Sequence, residues 1–338
     1  MSWKKKGLKG AVEAGINSIG SGYDLCDDLR LKHTKAATTS RLISLQDQDH
    51  VRSVVFPSSG GGAASISIPN VPKSIKCYPF RANTPSTPRL LIKSSNPLSF
   101  HQMSEKFNQE LSLSGKIPTG HFNAAFDFSG VWQTDAANTK TLAYDGYSIA
   151  VCEIAIAERQ FFFHDHVIQA MPLSWDPAAL ARFIEEYGTH VIVGITIGGT
   201  DIIYAKQLYS SPLQTADVQK NLKRIAGKFF GESDALIKFM KDNGLFFMEF
   251  PQSPYCKFQM QDIWFMCKRK GGSAIGSLPH NEWCQTVWSQ PDVISMSIIP
   301  ITSLLSGING SGYLTHAINL YLQCKQLSMT QFSHFTYH

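Results

Sequence analysis

Hydrophobic spacing is clearest in the middle of the chain. Trp175-Asp176-Pro177 supplies an N-cap carboxylate and a proline at the first helical position, the usual chemistry of a helix start. Leu180, Phe183, Ile184 and Tyr187 then recur at helical spacing, and Gly188 stands where the helix closes. From His190 the period changes. Val191, Val193, Ile195 and Ile197 alternate with His190, Ile192, Gly194 and Thr196, and the extended pattern resumes from Thr200 to about Leu208. At roughly 3.3 Å per residue such a run spans about 60 Å, about three times a typical strand. That length calls for a large, strongly bent sheet, and Gly198-Gly199 is the natural place for the bend.

A second extended run covers 147–158, with a slip at Cys152-Glu153 that reads as a bulge. Shorter strands are expected at Arg41–Leu45, Leu90–Lys93 and 261–269. Residues 11–29 begin with a short helix and continue into the compact Ser18-Ile-Gly-Ser-Gly-Tyr-Asp-Leu-Cys stretch. From Thr215 the chain turns helical, with Val218, Leu222, Ile225 and Phe229 as a stripe and Lys220, Lys223, Arg224 and Lys228 around it. Further helices are expected at Ser233–Gly244 and 313–323, and loops at 57–64 and 82–88.

One alternating stretch suggests membranes. Across 122–132, Phe122, Ala124, Phe126, Phe128, Gly130 and Trp132 alternate with Asn123, Ala125, Asp127, Ser129 and Val131. A membrane-spanning β-strand takes roughly nine to eleven residues, and this run has that length. An ordinary buried strand, or a helix, fits the same residues.

Composition narrows the functions. Charged residues make up only 17% of the chain, so Ser, Thr, Asn and Gln carry much of the surface. No run is long and apolar enough for a transmembrane helix, and the basic start is not followed by the apolar core of a secretory signal. Lys4, Lys5, Lys6 and Lys9 beside Trp3 suit an acidic leaflet or a solvated tail. Seven scattered cysteines without a C-x-x-C pair fit reduced thiols in a cytosolic protein.

Catalytic signals are poor. His190 has no accompanying nucleophile motif. His164 and His166 flank Asp165 without a third ligand at metal spacing. Asp24, Asp27 and Asp28 lack the glycine and terminal glutamate of a calcium loop and read as a solvated turn. Gly307 to Gly312 lacks the Gly-Lys-Ser/Thr ending of a phosphate loop. No enzyme activity, cofactor or metal is expected.

Several stretches taken together resemble the membrane-attack-complex/perforin (MACPF) family. The most specific is Tyr187-Gly188-Thr189-His190-Val191, then Ile192 to Ile197, then Gly198-Gly199, although the family commonly has an aromatic residue where Val191 stands. Gly20-Ser-Gly-Tyr-Asp-Leu-Cys, Met103-Ser-Glu-Lys-Phe-Asn, Gly120-His-Phe-Asn-Ala, Ser174-Trp-Asp-Pro-Ala-Ala-Leu, His280-Asn-Glu-Trp and Pro291-Asp-Val-Ile-Ser-Met-Ser are similar to the plant branch, of the constitutively-activated-cell-death and necrotic-spotted-lesions type. The resemblance implies an α+β fold: a bent four-stranded antiparallel sheet flanked by two helical clusters, near 98–143 and 212–258. In pore-forming relatives these clusters unfurl into amphipathic hairpins of a shared β-barrel.

On that reading residues 1–10 are a basic tail and 11–325 the MACPF domain. Residues 326–338 are an unmatched tail where relatives continue into a β-rich region. The implied role is negative regulation of salicylic-acid-dependent programmed cell death, from the cytoplasm with peripheral association to the plasma membrane. An oligomeric pore former and a non-inserting scaffold are the alternatives. Membrane lipids and further copies of the chain are the implied partners; nucleic acid and small-molecule substrates are not expected. Gly198 and Gly199 would form the hinge, or else simply allow tight packing; on the hinge reading Gly199→Val is expected to block opening while leaving the domain folded.

Overall fold

The computed structural model describes residues 7–35, 41–45, 51–56, 66–79, 89–157, 161–231, 255–275 and 278–324. The helix expected at Ser233–Gly244, the loops at 57–64 and 82–88, Lys4 to Lys6 and the 326–338 tail lie outside the described residues. Strands follow in the order β1 (Gly22–Tyr23), β2 (Thr34–Lys35), β3 (Val51–Phe56), β4 (Ile66–Pro72), β5 (Ile75–Pro79) and β6 (Arg89–Ser94). Then come β7 (Thr139–Ile156), β8 (His190–Leu208), β9 (Tyr255–Met260), β10 (Ile263–Lys270) and β11 (Asp292–Pro300). The helices are α1 (Leu8–Ser18), α2 (Phe100–Glu110), α3 (Gly120–Phe126), α4 (Trp132–Asn138) and α5 (Asp165–Ala170). They continue as α6 (Pro177–Tyr187), α7 (Thr215–Phe230), α8 (His280–Thr286) and α9 (Ser311–Cys324).

Local chemistry sets several of these boundaries. The Asp176 carboxylate accepts hydrogen bonds from the Ala178 and Ala179 amides, capping α6, and Gly188 closes it at φ 81°. Leu180, Phe183, Ile184 and Tyr187 are the buried face of α6, as the spacing predicts. Ser99 and Gln102 form a reciprocal capping box at α2, and the Thr119 hydroxyl accepts from the Phe122 amide at α3.

The antiparallel pair β7 and β8 carries the fold, in register from Thr139 opposite Leu208 to Ala155 opposite Gly194. Their outer partners change part-way along. β7 pairs with β6 up to Ala150 and with β5 from Cys152, and the bulge lies between those two residues. β8 pairs with β10 up to Thr200 and with β11 from Gly198. Both exchanges fall at one level, because Ala150 lies opposite Gly198 and Cys152 opposite Ile197. One half of the sheet is therefore ordered β6-β7-β8-β10-β9 and the other β5-β7-β8-β11. β1 takes over beside His190 and Val191 and carries β2. The described residues thus form a nine-stranded sheet, wider than the four strands implied by resemblance, because the flanking segments pair onto both halves.

Helices cover both faces of the β6-to-β10 half. On one face Phe100, Met103, Phe107, Phe122 and Phe126 pack on Leu142, Tyr144, Ile202, Tyr204 and Met266. On the other, Val218, Leu222, Ile225 and Ala226 of α7 pack on Ala143, Ile203, Ala205, Phe265 and Cys267. Successive residues of β8 thus feed opposite cores, as the period of two requires. A third core joins α1, α6, α8 and α9 to the other half of the sheet.

Two expectations are corrected. Arg41–Leu45 is not a strand; Ile43 makes a single bridge to Phe163 while Leu42, Ile43 and Leu45 are buried between loops. Residues 122–132 are not extended in this state: they comprise most of α3, a turn with Asp127 at φ 50° and Gly130 at φ 86°, and the start of α4. Phe122 and Phe126 are one helical turn apart, so they share a face in a helix as readily as in a strand.

Candidate functional site

The signature residues fasten β8 into the sheet. Gly188 is a glycine by necessity: a Cβ there would stand 2.7 Å from the Tyr23 carbonyl. The Thr189 amide donates to Tyr23 O at 3.0 Å, and its hydroxyl accepts from the Leu25 amide at 3.0 Å. Thr189 O accepts from the Ile301 amide. That hydroxyl also lies 2.8 Å from His190 Nδ1. His190 is 3% exposed, and burial pushes its ring down to about 4. His190 is enclosed where the backbone of β8 pairs with β1 on one side and β11 on the other. Tyr187 packs against Phe183, with ring centroids 4.6 Å apart and planes tilted by 38°.

Gly198 and Gly199 mark the level at which β8 changes partners. A Cβ on Gly198 would lie 1.9 Å from Ile149 O, so the close approach of β7 excludes any side chain. A Cβ on Gly199 would lie 2.8 Å from Val287 and 3.1 Å from Trp283. Both of those residues are fully buried, on and just beyond α8. The Trp283 indole N–H donates to Gly271 O at 3.0 Å. α8 therefore sits as a wedge over the level where β8 changes partners, in the connection between β10 and β11. Valine at 199 would have to displace that wedge, so its first effect falls on packing, not on a free hinge.

One turn from Trp283, a buried charge cluster fastens the same helix. Asp201 of β8 is fully buried. Its Oδ2 accepts from Arg269 Nε of β10 at 3.0 Å and lies 2.8 Å from His280 Nδ1 of α8. Arg269 also donates to Leu278 O at 2.6 Å and stands over the Phe229 and Trp283 rings. The His280 ring stacks against Trp283 and meets Tyr147 and Phe230, the last residue of α7. Burial opposes a charge on His280, but its bonds to Asp201 and Cys284 outweigh that and raise it to about 9. A single carboxylate thus holds β10, α8 and, through the aromatic contacts, the end of α7. Reading the chain alone missed Asp201 and Arg269. The available signal was a lone aspartate directly after Gly-Gly-Thr in an otherwise apolar strand.

The first helical cluster is fastened by another carboxylate. Lys206 of β8 donates to Asp127 O at 3.2 Å, and Lys257 of β9 pairs with Asp127 Oδ2 at 3.1 Å. Lys268 of β10 pairs with Asp127 Oδ1 at 2.5 Å and donates to Ala124 O. Three strands so converge on the residue that ends α3. Burial, with Lys257 nearby, lowers Lys206 to about 8. Phe122 and Phe126 are fully buried, while Phe128 and Trp132 pack partly buried beside them. Phe100 meets Phe122, Phe128 and Trp132. A cavity of about 1610 Å³, lined in part by Ala124, Asp127, Tyr144, Lys268 and Lys270, adjoins α3.

The remaining candidates are structural. His164 and His166 stack on each other at the start of α5, and no group of three or more His, Cys, Asp and Glu among the described residues could hold a metal ion. Asp24 is buried, not solvated: it accepts from the Cys26 amide and, at 2.5 Å, from the Tyr321 hydroxyl of α9. Gly310 makes close backbone contact with Pro172. Among the described residues no helix is long and apolar enough to cross a membrane.

A bent sheet split at a glycine pair, with helical clusters in the connections on either side of its central strands, defines a MACPF-type fold. The family model described as the MAC/Perforin domain matches residues 12–331, and the chain belongs to this family. MACPF domain-containing protein At4g24290 of Arabidopsis thaliana is 50% identical over 328 residues, 93% of this chain and 52% of its own length. Two further Arabidopsis thaliana proteins, NSL1 and CAD1, are 41% and 36% identical over 331 and 318 residues. These alignments take in 93% and 94% of this chain and 52% and 51% of the relatives. The chain therefore spans about half the length of these curated relatives. Among solved structures, GNIP1Aa from Chromobacterium piscinae superposes with a TM-score of 0.58 at 13% identity, over 92% of this chain and 56% of that one. A Bacteroides thetaiotaomicron protein with a MAC/Perforin domain gives 0.51 at 10% identity, over 94% of this chain and 62% of that one.

Proposed function

We propose that this chain is a membrane-acting domain of a plant MACPF protein that restrains salicylic-acid-dependent programmed cell death from the cytoplasmic side of the plasma membrane. The observation that carries the membrane part is the position of the two helical clusters. The segment from 95 to 138 joins β6 to β7, and that from 209 to 262 joins β8 to β10; each pair is adjacent and antiparallel. Extending the first segment would lengthen the β6-β7 hairpin without re-threading the sheet, whereas extending the second would also require β9 to leave the edge of β10. Phe122, Phe126, Phe128 and Trp132 are then the stripe that would face lipid. Their shared even phase is what a hairpin strand needs, and the 122/126 spacing serves α3 as well. Several copies of the chain side by side would supply the barrel that satisfies every strand edge. The restraint of cell death rests on the relationship to NSL1 and CAD1.

A scaffold that binds membranes without inserting is the second reading. Lys220, Lys223, Arg224 and Lys228 around α7 favour it, because charge on a lipid-facing strand is costly. Flotation and dye release with anionic liposomes, run on the purified chain, separate the two. Flotation with release supports insertion, and flotation without release supports the scaffold. Neither result would remove the membrane from the proposal. Spontaneous lesions in plants lacking the gene would support the restraint of cell death, and lesion-free plants stripped of redundant copies would contradict it.

A further inference from the structure

The charge cluster at α8 ends in a partly buried thiol, Cys284. Cys284 Sγ lies 3.5 Å from His280 Nε2, while His280 Nδ1 lies 2.8 Å from Asp201 Oδ2. Sulfur, imidazole and carboxylate therefore stand in series, the order in which a nucleophile, a proton carrier and a group that orients the carrier are arranged. The imidazole is held from every side. Trp283 stacks on it, Tyr147 and Phe230 flank it, and the fully buried Asp201 fixes its inner nitrogen. Among the described residues the second oxygen of Asp201 has no hydrogen-bond partner, so the carboxylate's interactions there are concentrated on the oxygen shared by His280 and Arg269. Cys284 itself is partly exposed and bounded by exposed Asn281 and Gln285.

We propose that Cys284 is a modification site, a thiol that undergoes exchange with a small disulfide such as oxidised glutathione, with His280 as proton carrier and Asp201 as its positioning residue. In the reaction the sulfur attacks one sulfur of the disulfide and the Sγ–S bond forms as the S–S bond breaks. His280, which carries a proton on Nε2 at neutral pH, gives that proton to the departing thiolate, and the thiol proton replaces it on the ring. The products are a mixed disulfide at Cys284 and one free small thiol, so atoms and electrons balance without a further oxidant. Two cysteines of the same intermediate exposure, Cys26 and Cys77, provide internal references. Burial pushes the Cys77 thiol up to about 11.

The adduct would take from His280 its outer partner and set a bulky polar group beside Trp283, loosening α8 over Gly199. That consequence rests on the functional reading above; the exchange reaction does not. The test needs no membrane. The purified chain is incubated with oxidised glutathione at neutral pH, and modification of each cysteine is followed by peptide mass spectrometry. Cys284 is expected to react about tenfold or more faster than Cys26 and Cys77. In His280→Asn the advantage should vanish and the pH profile at Cys284 should change, while the profiles at Cys26 and Cys77 stay as they were. Equal rates at the three thiols in the unmodified chain overturn the proposal. A fast Cys284 whose rate and pH profile ignore His280→Asn overturns the proton-carrier role.

Discussion

Gly199 lies directly beneath Trp283: a Cβ added to the glycine would approach the indole to 3.1 Å and the neighbouring Val287 to 2.8 Å. The exchange of partners along β8 and the seating of α8 thus meet in one packing arrangement. Gly199→Ala is expected to cost about 1–3 kcal/mol by overpacking. Val287→Ala, costly by itself, should recover part of that loss when combined with it, since it removes the two nearest atoms. Urea unfolding of both single variants and the double variant measures this coupling. Strict additivity would mean that the two sites do not meet.

Asp201 provides a second test of how α8 is held. Asp201→Ala leaves the Arg269 guanidinium, only 5% exposed, without its carboxylate. Removing one partner of a buried pair costs about 3–5 kcal/mol. Asp201→Asn, which keeps one acceptor, should cost less. A larger loss for the asparagine variant in urea unfolding would contradict the assigned bonding.

The two histidines give opposite pH dependences. His280 is raised from its ordinary 6.5 to about 9 in the fold, so its contribution is fully present below about pH 6.5 and fades as pH climbs toward 9. His190 is lowered from 6.5 to about 4. Its contribution, about 3 kcal/mol, is present above pH 6.5 and fades as pH falls toward 4. Denaturation midpoints between pH 4 and 10 should therefore fall on both sides of neutrality. His280→Asn should flatten the alkaline limb and leave the acid limb in place.

Asp127→Ala removes the carboxylate shared by Lys257 and Lys268 at the end of α3. Hydrogen exchange should quicken in α3 by about tenfold while β7 and β8 keep their protection. Uniform loss across the sheet would show that Asp127 supports the whole domain instead of fastening one cluster.

What could be read from the chain follows from where its pattern is one-sided. α6 is capped at both ends and buries a single face, so Asp176, Pro177 and Gly188 mark it plainly. The first part of β8 alternates visibly. Further on, Ile202 and Tyr204 feed one core while Ile203 and Ala205 feed the other, and double coverage erases the alternation. The same coverage hides the order of β6-β7-β8-β10-β9. β11 leaves no signal because its register slips twice, between Val293 and Ser295 and between Ser297 and Ile298. The charge cluster is invisible for another reason: Asp201, Arg269 and His280 come from three elements, and only the sheet brings them together. Residues 122–132 show the converse, since aromatic residues at 122 and 126 satisfy a helix and a strand equally.

That double compatibility carries the central claim, that the first cluster becomes an inserted hairpin strand at a membrane. The most direct measurement places a fluorescent label on single cysteines introduced one at a time from 122 to 132 in a cysteine-free background. Quenching by lipid-borne quenchers in anionic liposomes is then read at each position. The account predicts alternation, with 122, 126, 128 and 132 quenched and 123, 127 and 129 protected. Quenching with a helical period, or none at any position while the chain is bound to the liposomes, would contradict it.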